Sequence, residues 1–140
     1  MSCDIRIAAE SAKFGFPETD VGLTITTAGT KLLAQIVGLG KAKELVFTGD
    51  FIDAYEAMAI GLANKVVADE SLLDESMAMA GRIGEKSPLA LKLSRIAIDQ
   101  GLHSSFEQTL EMEAGHLLTC AGAQNQQKFV ERKLEKMKGK

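Results

Sequence analysis

The sequence has few of the residues that build metal sites and disulfides. Its 140 residues include two cysteines and two histidines. Cys3 and Cys120 fit no metal-binding or redox spacing, and this pattern favours two free thiols in a reducing compartment. His103 and His116 have no partner at the spacing of a metal site or a nucleophile pair. We therefore expect no metal.

Long apolar runs and an excess of positive charge are also missing. No run is long enough to span a bilayer, and the first ten residues lack the basic and apolar regions of a secretory signal. The net charge of −3 argues against a general nucleic-acid binder. With 46% hydrophobic residues and no repeat or linker, we expect a single cytoplasmic domain with no nucleic-acid or membrane partner.

Positive charge collects at one end of the chain. Residues 128–140 hold six Lys or Arg and two Glu, a local charge of +4. One interpretation is a solvated helix face that complements the helix dipole. The other is attraction of an anionic ligand.

Apolar spacing and capping residues predict a mostly helical chain. Residues 3–9 alternate as a strand does, and 64–68 form a short extended piece. Thr26 or Thr27 can cap the first helix, and Ser87 can cap a helix that begins with Pro88. Two pairs have the spacing of a capping box, namely Asp53 with Glu56 and Ser104 with Glu107. The predicted helices span 28–37, 40–47, 54–60, 71–85, 88–100, a stretch following Ser104, and about 123–137.

The loop around Glu18 is the strongest candidate for chemistry. Pro17 has a fixed φ and no N–H, and Gly15 and Gly22 permit tight backbone on either side. Such a loop can hold one carboxylate at a fixed angle for acid/base work. The alternative is an exposed loop carboxylate, or one that bonds only to nearby N–H groups.

Short matches to one family run in order along nearly the whole chain. Two segments lead them, CDIRIAAE at 3–10 and FGFPE at 14–18. The others are Gly29-Thr30, Val37-Gly38, Gly40-Lys41-Ala42, Thr48-Gly49, Ile52-Asp53-Ala54, Ile60-Gly61-Leu62, Ser87-Pro88-Leu89-Ala90 and Phe129-Val130-Glu131-Arg132. Together they resemble the C-terminal half of an enoyl-CoA hydratase/isomerase of the crotonase superfamily.

The resemblance implies the C-terminal portion of an α/β crotonase-like (ClpP/crotonase) fold. In this chain it would be mostly α-helical, with one or two short strands. Residues 1–25 would end the spiral core and supply the active-site loop, and residues 26–140 would form the helical part that builds homotrimers or dimers of trimers. The family places the strand at 3–9 in mid-chain, so we expect Met1 to be an internal methionine of a longer enzyme.

The resemblance also implies a substrate and a site. The substrate would be an acyl-CoA thioester, with coenzyme A as part of the substrate and no separate cofactor. Glu18 would pass a proton to or from the enoyl-CoA carbon. The implied substrate-binding residues are Pro17, Val21, Thr26, Phe129 and Arg132. The family uses a backbone N–H near position 26 to hold the reacting water or the substrate.

Part of the family's site has no counterpart in the 140 residues. The two N–H donors of the oxyanion hole, and the second glutamate of the hydratases, lie upstream of the first strand in the family. We therefore expect negligible turnover by this chain alone, and Glu18 does not decide between hydratase and isomerase. The alternatives are a non-catalytic oligomerisation module of the same fold, or an unrelated helical binding domain.

Overall fold

Helices make up most of the chain in the computed structural model, which describes residues 2–26 and 29–139. Within these ranges there are seven α-helices, four short strands and two 3-10 helices, at Pro17–Val21 and Asp69–Ser71. The strands are β1 (Ile7–Ala9), β2 (Lys13–Phe14), β3 (Ile52–Asp53) and β4 (Lys65–Val67). The helices are α1 (Gly29–Val37), α2 (Leu39–Thr48), α3 (Ala54–Ala59), α4 (Leu72–Gly84), α5 (Pro88–Gly101), α6 (Phe106–Ala121) and α7 (Gln126–Lys138).

The strands pair across long sequence separations, which is why the expectation of one or two strands was too low. β1 pairs in parallel with β4, with Ile7 opposite Lys65, and β2 pairs antiparallel with β3. The strand predicted at 3–9 shrinks to β1. The Arg6 N–H is taken by the Asn64 side chain at 2.8 Å, so regular pairing begins only at the next residue.

The chain divides into two compact units, one that ends at Ala78 and one that begins at Met79. The first unit contains a hydrophobic core to which β1 contributes Ala8 and β3 contributes Ile52. Leu33 of α1, Leu45 of α2 and Leu62 are its largest fully buried side chains. Small residues fill the space around them, namely Ala8, Ala42, Ala54, Ala57 and Ala63. The expectation of a single domain stays a prediction.

The second unit consists of helices, among which α5 and α6 are in contact. None of the described residues in α4, α5, α6 or α7 is buried. Ser87 caps α5 as predicted, because its hydroxyl accepts the Ala90 N–H and Pro88 stands at the first helical position. This unit therefore takes much of its order from local signals at helix ends.

The structure corrects both predicted capping boxes. Asp53 caps α3 as predicted, but the Glu56 side chain binds Lys41 at 2.8 Å instead of reaching back. The capping box of α6 is formed by Ser105 and Gln108, not Ser104 and Glu107.

The Ser104 hydroxyl instead donates to the Gln100 carbonyl, since the preceding helix extends to Gly101. The last helix begins at Gln126, because residues 123–125 form a turn. The candidate cap Thr27 lies outside the described residues.

Candidate active site

Glu18 lies on a five-residue 3-10 helix, Pro17–Val21, that we call the Glu18 turn. Pro17 opens it, where the missing N–H costs nothing because the first N–H groups of a helix have no internal partner. Gly22 closes it in the left-handed region at φ 73°, and its N–H donates to the Thr19 carbonyl at 3.1 Å. The Leu23 N–H donates to the Glu18 carbonyl at 2.9 Å. The backbone on both sides of Glu18 is thus fixed, as the Pro and Gly residues predicted.

The Glu18 turn is attached to the C-terminal end of α2. The Thr19 hydroxyl donates to the Val46 carbonyl at 2.8 Å. Gly49, the residue after α2, adopts a left-handed φ of 69°, and a Cβ there would lie 2.8 Å from both carboxylate oxygens of Asp20. These contacts orient the turn against a helix whose Leu45 belongs to the core. The position of Glu18 is therefore set by the core.

The Glu18 carboxyl group differs from an ordinary surface carboxylate in the surroundings of one oxygen atom. Its Oε2 atom is buried, and it has no hydrogen-bond partner among residues 2–26 and 29–139. Burying a polar atom without a partner costs about 1–3 kcal/mol. A carboxyl oxygen that is withdrawn from solvent but not engaged by the protein can accept or deliver a proton.

The other predicted residues of the first unit are exposed. Pro17 and Val21 share the turn with Glu18, and Val21 is 72% exposed. Thr26 follows on the connection to α1, where its carbonyl accepts the Gly29 N–H at 2.9 Å. Its side chain is exposed. Pro17 and Val21 thus offer apolar surface on the turn that carries Glu18.

Phe129 and Arg132 lie together in a shallow groove of the second unit, which we call the α7 groove. Its volume is about 180 Å³, and its lining residues are Glu85, Lys86, Ser87, Phe129, Arg132, Lys133 and Lys136. The four α7 residues share one helix face, since they follow the i, i+3, i+4, i+7 pattern that starts at Phe129. The groove thus combines one aromatic ring with four cationic side chains and a single carboxylate.

The lone carboxylate of the α7 groove is paired. Lys136 Nζ donates to Glu85 Oε2 at 2.7 Å, and Arg132 Nη1 donates to the Glu85 carbonyl at 3.4 Å. The hydrogen bond and the positive charge of Lys136 lower the pKa of Glu85 below its ordinary value, with smaller help from Arg132 and Lys86. Glu85 is therefore ionised at neutral pH.

Phe129 also borders a larger apolar cavity of about 650 Å³. The N-terminal end of α5, the C-terminal end of α6 and one face of α7 enclose it. Its other lining residues include Pro88, Leu89, Cys120 and Leu134.

The described residues form neither a candidate metal site nor a candidate membrane-spanning helix. Residues 2–26 and 29–139 contain no group of three or more His, Cys, Asp or Glu side chains able to hold a metal ion. Within the same ranges, no helix is both long and apolar enough to cross a membrane.

Known proteins of one family match this chain in sequence and in fold. The enoyl-CoA hydratase/isomerase family profile matches residues 1–140, the whole chain. The chain belongs to the enoyl-CoA hydratase/isomerase family. As expected from the sequence resemblance, the fold corresponds to the C-terminal, largely helical portion of the crotonase-like fold.

Individual family members match over nearly the full length of the chain. A crotonyl-CoA hydratase from Syntrophomonas wolfei is 44% identical over 138 residues, which is 99% of this chain and 53% of that protein. The crystal structure of an enoyl-CoA hydratase from Bacillus anthracis superposes with a TM-score of 0.91 at 34% identity, covering 96% of this chain and 52% of that one. The chain thus spans about half the length of each.

One structural relative was solved with a ligand. A candidate enoyl-CoA hydratase from Thermobifida fusca, in complex with CoA, is 30% identical with a TM-score of 0.82. The match covers 84% of this chain and 46% of that one.

Within the family framework, the structure brings five of the six predicted residues together in two groups, and the sixth, Thr26, lies on the connection to α1. Pro17, Glu18 and Val21 share one turn, and Phe129 and Arg132 share one groove. The sequence reasoning did not single out Thr19, Glu85, Lys133 or Lys136. Helical spacing from Phe129 would have pointed to Lys133 and Lys136. No local signal marks Glu85, because it is 51 residues from Lys136.

Proposed function

We propose that this chain carries the acid/base half of an enoyl-CoA hydratase/isomerase site that acts on an acyl-CoA thioester. Glu18 is the proposed acid/base. The observation that carries this proposal is the buried, unpartnered Oε2 of Glu18 on a turn fixed by Pro17, Gly22 and the Thr19 bond to α2. An exposed carboxylate, or one fully bonded to local N–H groups, would not leave such an atom.

The proposed chemistry is proton exchange at carbon. The reaction adds water to a C=C bond next to the thioester, or shifts that bond, and Glu18 passes a proton to or from the acyl carbon. The exposed apolar side chains of Pro17 and Val21 would contact the acyl part of the substrate, and the Thr26 backbone would help to hold the water or substrate.

The resemblance implies that the N–H donors of the oxyanion hole are not among these 140 residues. One oxyanion donor is typically worth about 10²–10³ in rate. We therefore propose negligible turnover by the chain alone.

Coenzyme A is the proposed anchor of the substrate, with no separate cofactor. The α7 groove places the Phe129 ring beside the guanidinium of Arg132 and three lysines, which suits an adenine ring and phosphate groups. The CoA complex of the Thermobifida fusca relative supports coenzyme A as the ligand. The free thiols Cys3 and Cys120 support the expected cytoplasmic location, because reducing compartments keep thiols free.

Binding and turnover of crotonyl-CoA test the proposal. We expect wild-type chain to bind crotonyl-CoA in calorimetry and Glu18→Gln to bind it more weakly. Glu70→Gln is the matched control, since Glu70 is an exposed glutamate of the same unit. Equal binding by the Glu18 and Glu70 variants would contradict a role for Glu18. Hydration, followed by loss of enoyl absorbance, should be negligible. Robust hydration would overturn the half-site proposal.

A non-catalytic assembly module is the second candidate function. The observation that favours it is the exposure of large apolar side chains in the second unit, with Phe106, Leu117 and Leu118 each at least 69% exposed. Such surface tends to be covered by a partner, and a homotrimer or dimer of trimers is the proposed assembly. Sedimentation velocity should show it. Stable oligomers with no affinity for acyl-CoA would favour this function over the enzymatic one.

A further inference from the structure

The second unit contains an apolar cavity of about 650 Å³, and the proposed chemistry makes no use of it. The first residues of α5, the end of α6 and one face of α7 line this space, which we call the apolar cavity. Small-molecule sites in proteins typically measure about 300–1,000 Å³ and have mostly apolar walls with a few polar groups. The apolar cavity therefore has the size of a binding site.

The wall of the apolar cavity favours a hydrocarbon ligand. All three helices contribute apolar side chains to it, among them Leu89, Cys120, Phe129, Val130 and Leu134. Val130 and Leu134 are 45% and 50% exposed, so part of this wall is in contact with solvent. A ligand that removes apolar surface from water gains free energy in proportion to the area removed. A flexible alkyl chain can cover such a wall.

Positive charge lies where the apolar cavity meets the α7 groove. Ser87, Phe129 and Lys133 line both spaces, and Lys133 supplies an ammonium group. Ser87 is the N-cap of α5, and the first N–H groups of a helix carry partial positive charge. The Glu85 carboxylate of the groove is bound to Lys136 at 2.7 Å. This shared edge suits a small anion such as a carboxylate.

We propose that the apolar cavity binds a fatty carboxylate with a single alkyl chain. The chain occupies the space among α5, α6 and α7, and the carboxylate pairs with Lys133 at the shared edge. Carboxylic acids are ionised at neutral pH, so one cationic edge beside one apolar space matches an anionic amphiphile. The ligand differs from the acyl-CoA of the proposed function. The site involves no residue of the first unit, so it stands or falls independently of Glu18.

Alkylation of the two cysteines by a maleimide tests the inference in the wild-type chain. Cys120 lines the apolar cavity, whereas Cys3 is an exposed thiol of the first unit and serves as the internal control. Laurate at ten times its dissociation constant should slow the reaction of Cys120 about ten-fold, because only the unliganded fraction reacts. Mass spectrometry of peptides reports both rates. Equal slowing at Cys3 would indicate non-specific association and overturn the inference.

Butyrate separates the alkyl chain from the head group. It has the same carboxylate as laurate but a chain too short to fill the apolar cavity. At the concentration that gives full protection by laurate, butyrate should leave the rate at Cys120 unchanged. Protection by butyrate equal to that by laurate would contradict a site built around an alkyl chain.

Lys133→Met tests the head-group contact. It removes the charge, keeps an apolar side chain and should weaken laurate about two- to five-fold, as expected for an exposed ion pair. Dodecanol, which has the same chain without the negative charge, should bind both proteins equally. Lys138→Met is the matched control, because Lys138 lies on α7 but does not line the apolar cavity. The same affinity for laurate in both variants would overturn the assignment of the carboxylate to Lys133.

Leu134→Glu tests the alkyl-chain contact. The added charge in the apolar wall should abolish protection of Cys120 by laurate and by dodecanol. Leu118→Glu makes the same change at a 74% exposed position of α6 outside the lining and should leave protection intact. Circular dichroism should show the same helix content in both variants. Undiminished protection in Leu134→Glu would overturn the site. A Cys120 that is protected without laurate and becomes reactive on dilution would also overturn it, since a second copy of the chain would then fill the cavity.

Discussion

The two units differ in where their apolar side chains lie. In the first, Leu33, Leu45 and Leu62 are at most 2% exposed and pack with alanines into one core. In the second, no described residue of α5, α6 or α7 is buried, and Leu118 is 74% exposed. The first unit also exposes Phe47, so the contrast concerns the core and not the surface. The first unit has a packed core that anchors the Glu18 turn through α2, whereas the second leaves large apolar side chains exposed.

The largest expected loss of stability comes from truncating a side chain in the core of the first unit. Leu33→Ala should lower the free energy of unfolding by about 2–5 kcal/mol, because it removes buried methyl groups and leaves a cavity. Leu118→Ala, which removes the same atoms from an exposed site, should change it by at most about 0.5 kcal/mol. Urea denaturation followed by circular dichroism measures both.

Equal losses for the two leucine variants would break the comparison. They would mean that Leu118 is covered in solution. In that case the effect of Leu118→Ala should shrink as the protein is diluted, since dissociation exposes Leu118 in the wild-type chain as well.

Helix capping should matter more to the second unit than any single apolar contact within it. Ser105→Ala removes the hydroxyl that accepts the Gln108 N–H at 3.2 Å, and it should cost about 1 kcal/mol. Ser104→Ala is the matched control. It loses only an exposed bond to the Gln100 carbonyl and should cost less. Hydrogen exchange in the first turn of α6 measures the local effect. A larger effect at Ser104 would support the capping box originally predicted from the sequence.

The smallest expected effect concerns a polar contact at the surface of the first unit. The N–H and hydroxyl of Ser11 both donate to the Asp69 carboxylate, and the hydroxyl bond is the main reason that the pKa of Asp69 falls below its ordinary value of 3.8. Because the folded-state pKa is the lower one, this contribution to stability is complete above pH 3.8 and is lost as the pH falls through the folded-state pKa.

Asp69→Asn should therefore lower the urea midpoint slightly at pH 7, and the difference from wild type should shrink below pH 3.8. Ser11→Ala, which removes the hydroxyl donor but leaves the carboxylate in place, should reproduce part of this difference at pH 7. A difference for Asp69→Asn that stays constant down to pH 2.5 would rule out the linkage.

Sequence reasoning predicted the helices better than their ends. The cap at Ser87 and the cap at Asp53 were predicted because each uses atoms within three residues. The box at Ser104 was off by one residue, since two adjacent serines offer the same chemistry. The choice between them depends on where the preceding helix ends. The strands were underestimated because their partners lie far away in sequence.

The candidate site also combines features that the sequence predicts with features that it does not. Pro17 and the flanking glycines are enough to predict a rigid turn around Glu18, and the ordered motifs are enough to identify the family. The anchoring of Thr19 to Val46 could not be predicted, because it joins residues 27 apart that no periodicity relates.

By itself, the sequence determined the family, the helical character and the turn that carries Glu18, because these follow from short motifs and local backbone preferences. Only the tertiary structure decided that Glu18 Oε2 is buried without a partner and that Glu85 pairs with Lys136. Burial and ion pairing depend on which distant segments meet. Contacts between distant segments are set by the packing of the whole unit rather than by neighbours along the chain.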